Sequence, residues 1–180
     1  MVARARANAE GREQTSLEHA LFYEPEVSRR PARESALPVF RIELVRDNPA
    51  DDHSQHTIRS PEEAARIFER YLKGADRENF VTMFLDTKSR VIGLNTVSIG
   101  TLDSALVHPR EVFKPAILAN ASSVIVCHNH PSGDPQPSPE DRQVTARLAE
   151  AAKVLGIDLL DHVVVGCNGK HCSLKQLGVF

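Results

Sequence analysis

The run Ser123-Val124-Ile125-Val126-Cys127-His128 constrains this chain more than any other feature. It is short, continuously apolar and rich in β-branched residues, the pattern of a strand covered on both faces. Such a strand needs cover above and below, so the chain has to build a sheet with helices packed on it. The run ends abruptly in His128-Asn129-His130, and that polar end is where chemistry is to be sought.

The flanking segments supply the cover. Ser60-Pro61-Glu62-Glu63 reads as an N-cap, a proline at the first helical position and two acids near the positive end of the helix dipole. Ala64, Ile67, Phe68, Tyr71 and Leu72 continue a 3.6-residue stripe up to Gly74. Phe80 to Asp86 and Val91 to Ile99, joined through Thr87-Lys88-Ser89, predict a hairpin. His108-Pro109-Arg110-Glu111 opens a second helix to about Asn120, with Pro115 expected to kink or loosen its first half. Ser138-Pro139-Glu140-Asp141 caps a third, with the stripe Val144, Leu148, Ala151, Ala152 and Leu155, stopped by Gly156. Leu159 to Val165 is a further strand, followed by the Asn168-Gly169 turn and a short return. The fold class is α/β: a mixed β-sheet flanked by helices, one domain over residues 58–180.

Ahead of it, residues 1–37 hold six Arg and six Glu with little apolar periodicity, and read as a disordered leader. Residues 38–57 read as a strand, Pro38 to Arg46, and a polar loop. A formal charge of −2, from 22 basic and 24 acidic residues, lacks the basic excess that drives phosphate binding, so nucleic acid is not expected as the main ligand. No apolar run approaches the ~20 residues that span a bilayer, and the N-terminus lacks the apolar core of a signal peptide. Three cysteines are too few for a disulfide scaffold, so a cytoplasmic protein with reduced thiols is expected. Cys167 and Cys172 flank the Asn168-Gly169 turn, and a hairpin reading is preferred there to a metal pair.

In extended backbone, His128 and His130 leave the same face and can converge on one ion. Eleven residues on, Asp141 lies in the first turn of the third helix, beyond a loop with three prolines and one glycine that could fold it back. Two imidazole nitrogens and a carboxylate offer Zn²⁺ three ligands and leave a fourth position for water, a catalytic rather than a closed structural arrangement. Each residue alone has a plainer reading, Asp141 above all as the acid of a capping box with Ser138. The joint pattern H-x-H-x7-S-x2-D arises by chance in a chain of this composition on the order of once in a thousand.

These residues, in the segment His128-Asn129-His130-Pro131-Ser132-Gly133-Asp134 continuing to Ser138 and Asp141, resemble the JAMM motif of the JAB/MPN superfamily in the form carried by RadC proteins. The likeness covers about residues 59–175, including Asp76 to Phe80, Val107 to Phe113 and Leu160-Asp161-His162. It implies a cytidine deaminase-like mixed sheet, zinc on His128, His130 and Asp141, an oxyanion-stabilising role for Ser138, and a glutamate as general base. Glu78, just before a strand, is favoured for that base over Glu111, in the helix feeding the histidine strand. Their plain alternatives are a solvated loop acid and an N-terminal helix charge. Longer RadC proteins carry a helix-hairpin-helix segment ahead of this domain, and residues 1–37 hold no Gly-rich hairpin of that kind, so its DNA contact is not expected here.

The resemblance implies a zinc hydrolase attacking peptide or isopeptide carbonyls, with a peptide or protein as partner. The competing readings are a metal-binding module without catalysis in a repair or mobile-element complex, and a nuclease. The zinc-deaminase signature H-x-E with P-C-x-x-C is absent. His162 is read as a core residue in preference to a partner of the metal ligands, His108 as a helix neighbour, and His19, His53, His56 and His171 are given no role.

Overall fold

The computed structural model describes Val45, residues 56–100 and residues 107–180. The leader expected over 1–37 lies outside the described residues, as do His19, His53, most of the loop over 47–57 and, Val45 apart, the strand expected from Pro38 to Arg46.

The elements run α1 (Pro61–Tyr71), β1 (Asn79–Leu85), β2 (Val91–Ile99), α2 (Pro109–Leu118), β3 (Ser123–Asn129), α3 (Pro139–Leu155), β4 (Asp158–Val165) and β5 (His171–Ser173). They make one sheet of order β2-β1-β3-β4-β5. β1 pairs antiparallel with both β2 and β3, β4 runs parallel to β3, and β5 returns antiparallel on β4. Two parallel neighbours need a long crossover, and α3 supplies it.

β3 is central and buried along its length. Its alternate residues feed two cores. Val124 and Val126 join Phe80 and Phe84 beneath Val112, Phe113 and Ala116 of α2 and Leu148 and Ala152 of α3. Ile125 and Cys127 join Val81, Met83 and Leu85 against Ala64, Ala65, Ile67 and Phe68 of α1. His128 continues the Val124–Val126 side, and so emerges beneath α3.

Three expectations need adjustment. α1 ends at Tyr71 rather than at Gly74, because the Lys73 N–H reaches back only three residues, to the Arg70 carbonyl, and the helical ladder stops there. α2 continues through Pro115, whose own carbonyl still accepts from the Ala119 N–H at 2.9 Å. The inner face of α3 is Asp141, Thr145, Leu148 and Ala152, while Leu155 is exposed. Two polar residues sit on that face because it covers the end of β3 rather than core alone. Among the described residues, no helix is long and apolar enough to cross a membrane.

The loop between β3 and α3 is pinned to the β4–β5 turn. The His130 N–H donates to the Val165 carbonyl at 2.9 Å and the Cys167 N–H to the Gly133 carbonyl at 3.1 Å. Gly133 has a φ of +85°, and a Cβ there would press on the Cys167 sulfur; a Cβ at Gly166 would collide with the Gly133 carbonyl. Backbone on both sides leaves little room to yield. Gly166→Ala is therefore expected to lower stability by about 1–3 kcal/mol, as overpacking does. The urea midpoint should fall at unchanged slope; an unmoved midpoint would show that the loop swings away freely.

Candidate metal centre

Four side chains from three parts of the chain meet where β3 ends. His128 Nε2 lies 3.0 Å from His130 Nε2 and 3.2 Å from Asp141 Oδ1. Asp141 Oδ2 is 3.8 Å from His130 Nε2, and Glu78 Oε1 is 3.9 Å from His128 Nε2. Ligand atoms of Glu78, His128 and His130 all fall within 4.8 Å of one another. His128 and Asp141 are sealed inside, whereas the side chains of His130 and Glu78 are 19% and 17% exposed. The cluster is thus anchored below and open above.

Local sequence explains each placement. The extended end of β3 puts His128 and His130 on one side, and the His130 Nδ1–H donates to the Asp134 carbonyl at 2.7 Å, which fixes that ring. With Nδ1 committed to that carbonyl, Nε2 is the nitrogen that His130 turns to the cluster. Asp141 occupies the third position of α3 in a reciprocal cap. Its N–H donates to Ser138 Oγ at 3.1 Å, while Ser138 N–H and O–H both donate to Oδ2 at 2.7 Å. Burial pushes the Asp141 carboxyl up, but the His128 ring and the Ser138 donors outweigh it and hold the group well below the usual carboxylate range. An ionised carboxylate therefore faces the two histidines.

Glu78 precedes β1 and is held through its neighbours. Asn129, between the two histidines, accepts from the Asn79 N–H at 2.8 Å and donates from Nδ2 to the Arg77 carbonyl at 3.1 Å. The Glu78 carbonyl itself accepts from the Gly100 N–H at 2.8 Å. Glu111, the other candidate base, is placed differently: its side chain is 55% exposed on the first turn of α2, paired with Arg110 at 3.2 Å. The structure brings Glu78, and not Glu111, into the group with His128 and His130.

This donor set fits a metal ion. Zinc–nitrogen bonds of about 2.0–2.1 Å at tetrahedral angles put ligand atoms roughly 3.3 Å apart, and 3.0 and 3.2 Å are close to that. Imidazole nitrogens and a carboxylate suit zinc and several other divalent ions alike.

His162 is not an ordinary core residue, as the sequence reading preferred. It is fully buried with Nε2 2.8 Å from His128 Nδ1 and Nδ1 2.6 Å from Thr145 Oγ1. Burial, with the adjacent His128 acting in the same direction, holds its imidazole well below the ordinary value, so the ring is neutral. Thr145 and Asn129 were also missed as parts of the site. The spacing Asp141 to Thr145, one helical turn, was the available signal for the first; nothing local marks the second. His108 serves as the N-cap of α2. Cys127, Cys167 and Cys172 are free thiols, the latter two bounding the β4–β5 turn.

Removing the Asn129 carboxamide would leave the Asn79 N–H without its partner. Asn129→Ala is expected to cost about 1–3 kcal/mol, the usual penalty for an orphaned buried donor. Denaturant unfolding measures it, and an unchanged midpoint would show that water replaces the amide.

The chain is similar to known proteins. The UPF0758 protein of Shouchella clausii (strain KSM-K16) is 52% identical over 123 residues, 68% of this chain and 53% of its own length. That of Desulforudis audaxviator (strain MP104C) is 51% identical over 126 residues, 70% of this chain and 54% of its own. That of Rubrobacter xylanophilus (strain DSM 9941 / JCM 11954 / NBRC 16129 / PRD-1) is 50% identical over 145 residues, 81% and 61% respectively. The chain thus spans about half the length of the first two of these relatives. The family profile for the RadC-like JAB domain matches residues 58–179, a stretch that contains every element from α1 to β5 and all four residues of the cluster, and the chain belongs to that family.

Proposed function

We propose that this chain is a zinc-dependent hydrolase of the JAMM type, cleaving amide bonds of a peptide or isopeptide substrate. One observation carries the reading: Glu78, His128, His130 and Asp141 converge on a single point that is sealed beneath and open to solvent above. A purely structural metal would be closed on all sides.

In this reading His128, His130 and Asp141 hold the ion. Bound there, zinc supplies Lewis acidity, bringing the pKa of water to ~7 and polarising a carbonyl. Glu78 stands close enough to the same point to take a proton from water and deliver it to the leaving amine. Its backbone, fixed by Gly100 and flanked by the Asn129 bonds, keeps the carboxylate aimed inward. The Ser138 hydroxyl donates a hydrogen bond to Asp141 Oδ2. Turning that proton toward the substrate would steady the developing oxyanion, and Asp141 would still keep the Ser138 N–H. A net charge of −2 favours a peptide or protein substrate over nucleic acid, and three free thiols suit the cytoplasm.

The test is elemental analysis with a peptide-library cleavage assay. Wild type should hold about one zinc per chain and cleave; His128→Ala and Asp141→Ala should lose both. Glu78→Gln should keep the zinc and slow cleavage by about 10²–10⁴-fold, as loss of a general base does. Full cleavage by both ligand variants would overturn the proposal. Stoichiometric zinc with no cleavage of any library member would point to a metal-binding module instead.

A further inference from the structure

Beneath the cluster lies a row of three buried polar groups that hydrolysis does not use directly. Thr145 Oγ1 is 2.6 Å from the Asp141 carbonyl oxygen and 2.6 Å from His162 Nδ1, and His162 Nε2 is 2.8 Å from His128 Nδ1. Each contact requires one proton between its two atoms, and the positions of those protons follow from counting them.

A threonine hydroxyl has one proton. A carbonyl oxygen has none, so two oxygens 2.6 Å apart hold together only if Thr145 donates to Asp141. The Thr145 oxygen can then only accept from His162, which places the His162 proton on Nδ1. This ring is buried completely, edge-on to Phe80 at 5.4 Å, and its two nitrogens meet Thr145 and His128 rather than a carboxylate, so a single ring proton suffices. Its Nε2 is therefore bare, and the proton in the 2.8 Å contact belongs to His128 Nδ1. That makes Nε2, which faces His130 and Asp141, the nitrogen of His128 available to a cation.

The opposite arrangement would close the site. If His162 carried its proton on Nε2 and donated to His128, the His128 proton would sit on Nε2, 3.0 Å from His130 Nε2 and 3.2 Å from Asp141 Oδ1. With Nδ1 held as an acceptor, His128 could bind a cation through Nε2 only by losing its last ring proton. We propose that Thr145 and His162 are positioning residues that select the His128 tautomer, holding its proton on Nδ1 and keeping Nε2 free for a metal ion. The row starts from the backbone of Asp141 and ends on His128, so it also ties one ligand to another across α3, β4 and β3. The consequence for metal binding rests on the proposed metal centre; the tautomer itself does not.

Long-range proton–nitrogen NMR of the metal-free protein, at a pH where imidazoles are neutral, reads both rings directly. Expected are His162 protonated at Nδ1 with a bare Nε2, and His128 protonated at Nδ1. A His162 proton on Nε2 in wild type would overturn the proposal, whatever the metal does. Zinc affinity, measured by competition with a chromophoric chelator, supplies the second readout. Thr145→Val keeps the shape, removes the hydroxyl and should weaken zinc about 10–100-fold, the usual cost of losing an outer partner of a ligand. Thr145→Ser should restore both the spectrum and the affinity. A Thr145→Val protein that folds with the wild-type spectrum and wild-type affinity would reduce Thr145 to packing and overturn the selection. Wild type showing the assigned tautomers yet binding no zinc would support the selection while sinking the metal reading.

Discussion

A strand covered on both faces cannot leave a polar side chain unpaired without a penalty of about 1–3 kcal/mol, and β3 ends in His128 and Asn129, with His130 directly after it. Each recruits a different part of the chain. His128 is met by His162 from β4, Asn129 by the Arg77–Asn79 backbone ahead of β1, and His130 by the Asp134 carbonyl of the following loop. The demand for partners draws the elements around one strand end together. Because two of the three side chains keep a nitrogen facing the same point as the Asp141 carboxylate, satisfying the strand also assembles the site.

The route by which Asp141 arrives shows how local rules serve that assembly. A serine N-cap with an acid three residues later is an ordinary helix start. Here the cap orients Oδ2 through two Ser138 donors and leaves Oδ1 directed at His128. The loop before it has little freedom, since Gly133 lies against the β4–β5 turn on backbone hydrogen bonds that only glycines at 133 and 166 accommodate. Asp161 plays a comparable part further on: it accepts from the His162 N–H at 2.7 Å, the Ser173 hydroxyl at 2.7 Å and the Lys175 N–H at 3.1 Å. The strand residue beside His162 is thereby fixed to the C-terminal turn.

Much of this was legible in sequence. The continuous run at β3, the hairpin, the serine–proline helix starts and the spacing of His128, His130 and Asp141 are local patterns, set by backbone geometry over a few residues. His162 was not legible, and the register explains why. Val124 pairs with Leu159, but Ile125 pairs with Asp161, so a bulge skips Leu160. Without that extra residue, His162 would pair with Cys127 and point at α1. With it, His162 pairs with Val126 and turns to the His128 side, where Thr145 waits. A period-two reading of β4 places this side chain on the wrong face, and no residue within the strand announces the bulge. Asn129 escaped notice for a related reason, because its partners lie fifty residues away and are backbone atoms.

A ligand set drawn together in this way has an energetic consequence for the fold itself. Asp141 and Glu78 bring two carboxylates toward two imidazoles, one of which is buried completely, and in low dielectric such groups are costly unless a positive charge lies among them. A divalent ion supplies that charge and accepts several lone pairs at once. Anything that binds the folded chain and not the unfolded one stabilises it by an amount that grows with the logarithm of its concentration over Kd. On the proposed reading, the metal held at this strand end would therefore also be a structural partner of β3, α3 and the loop between them.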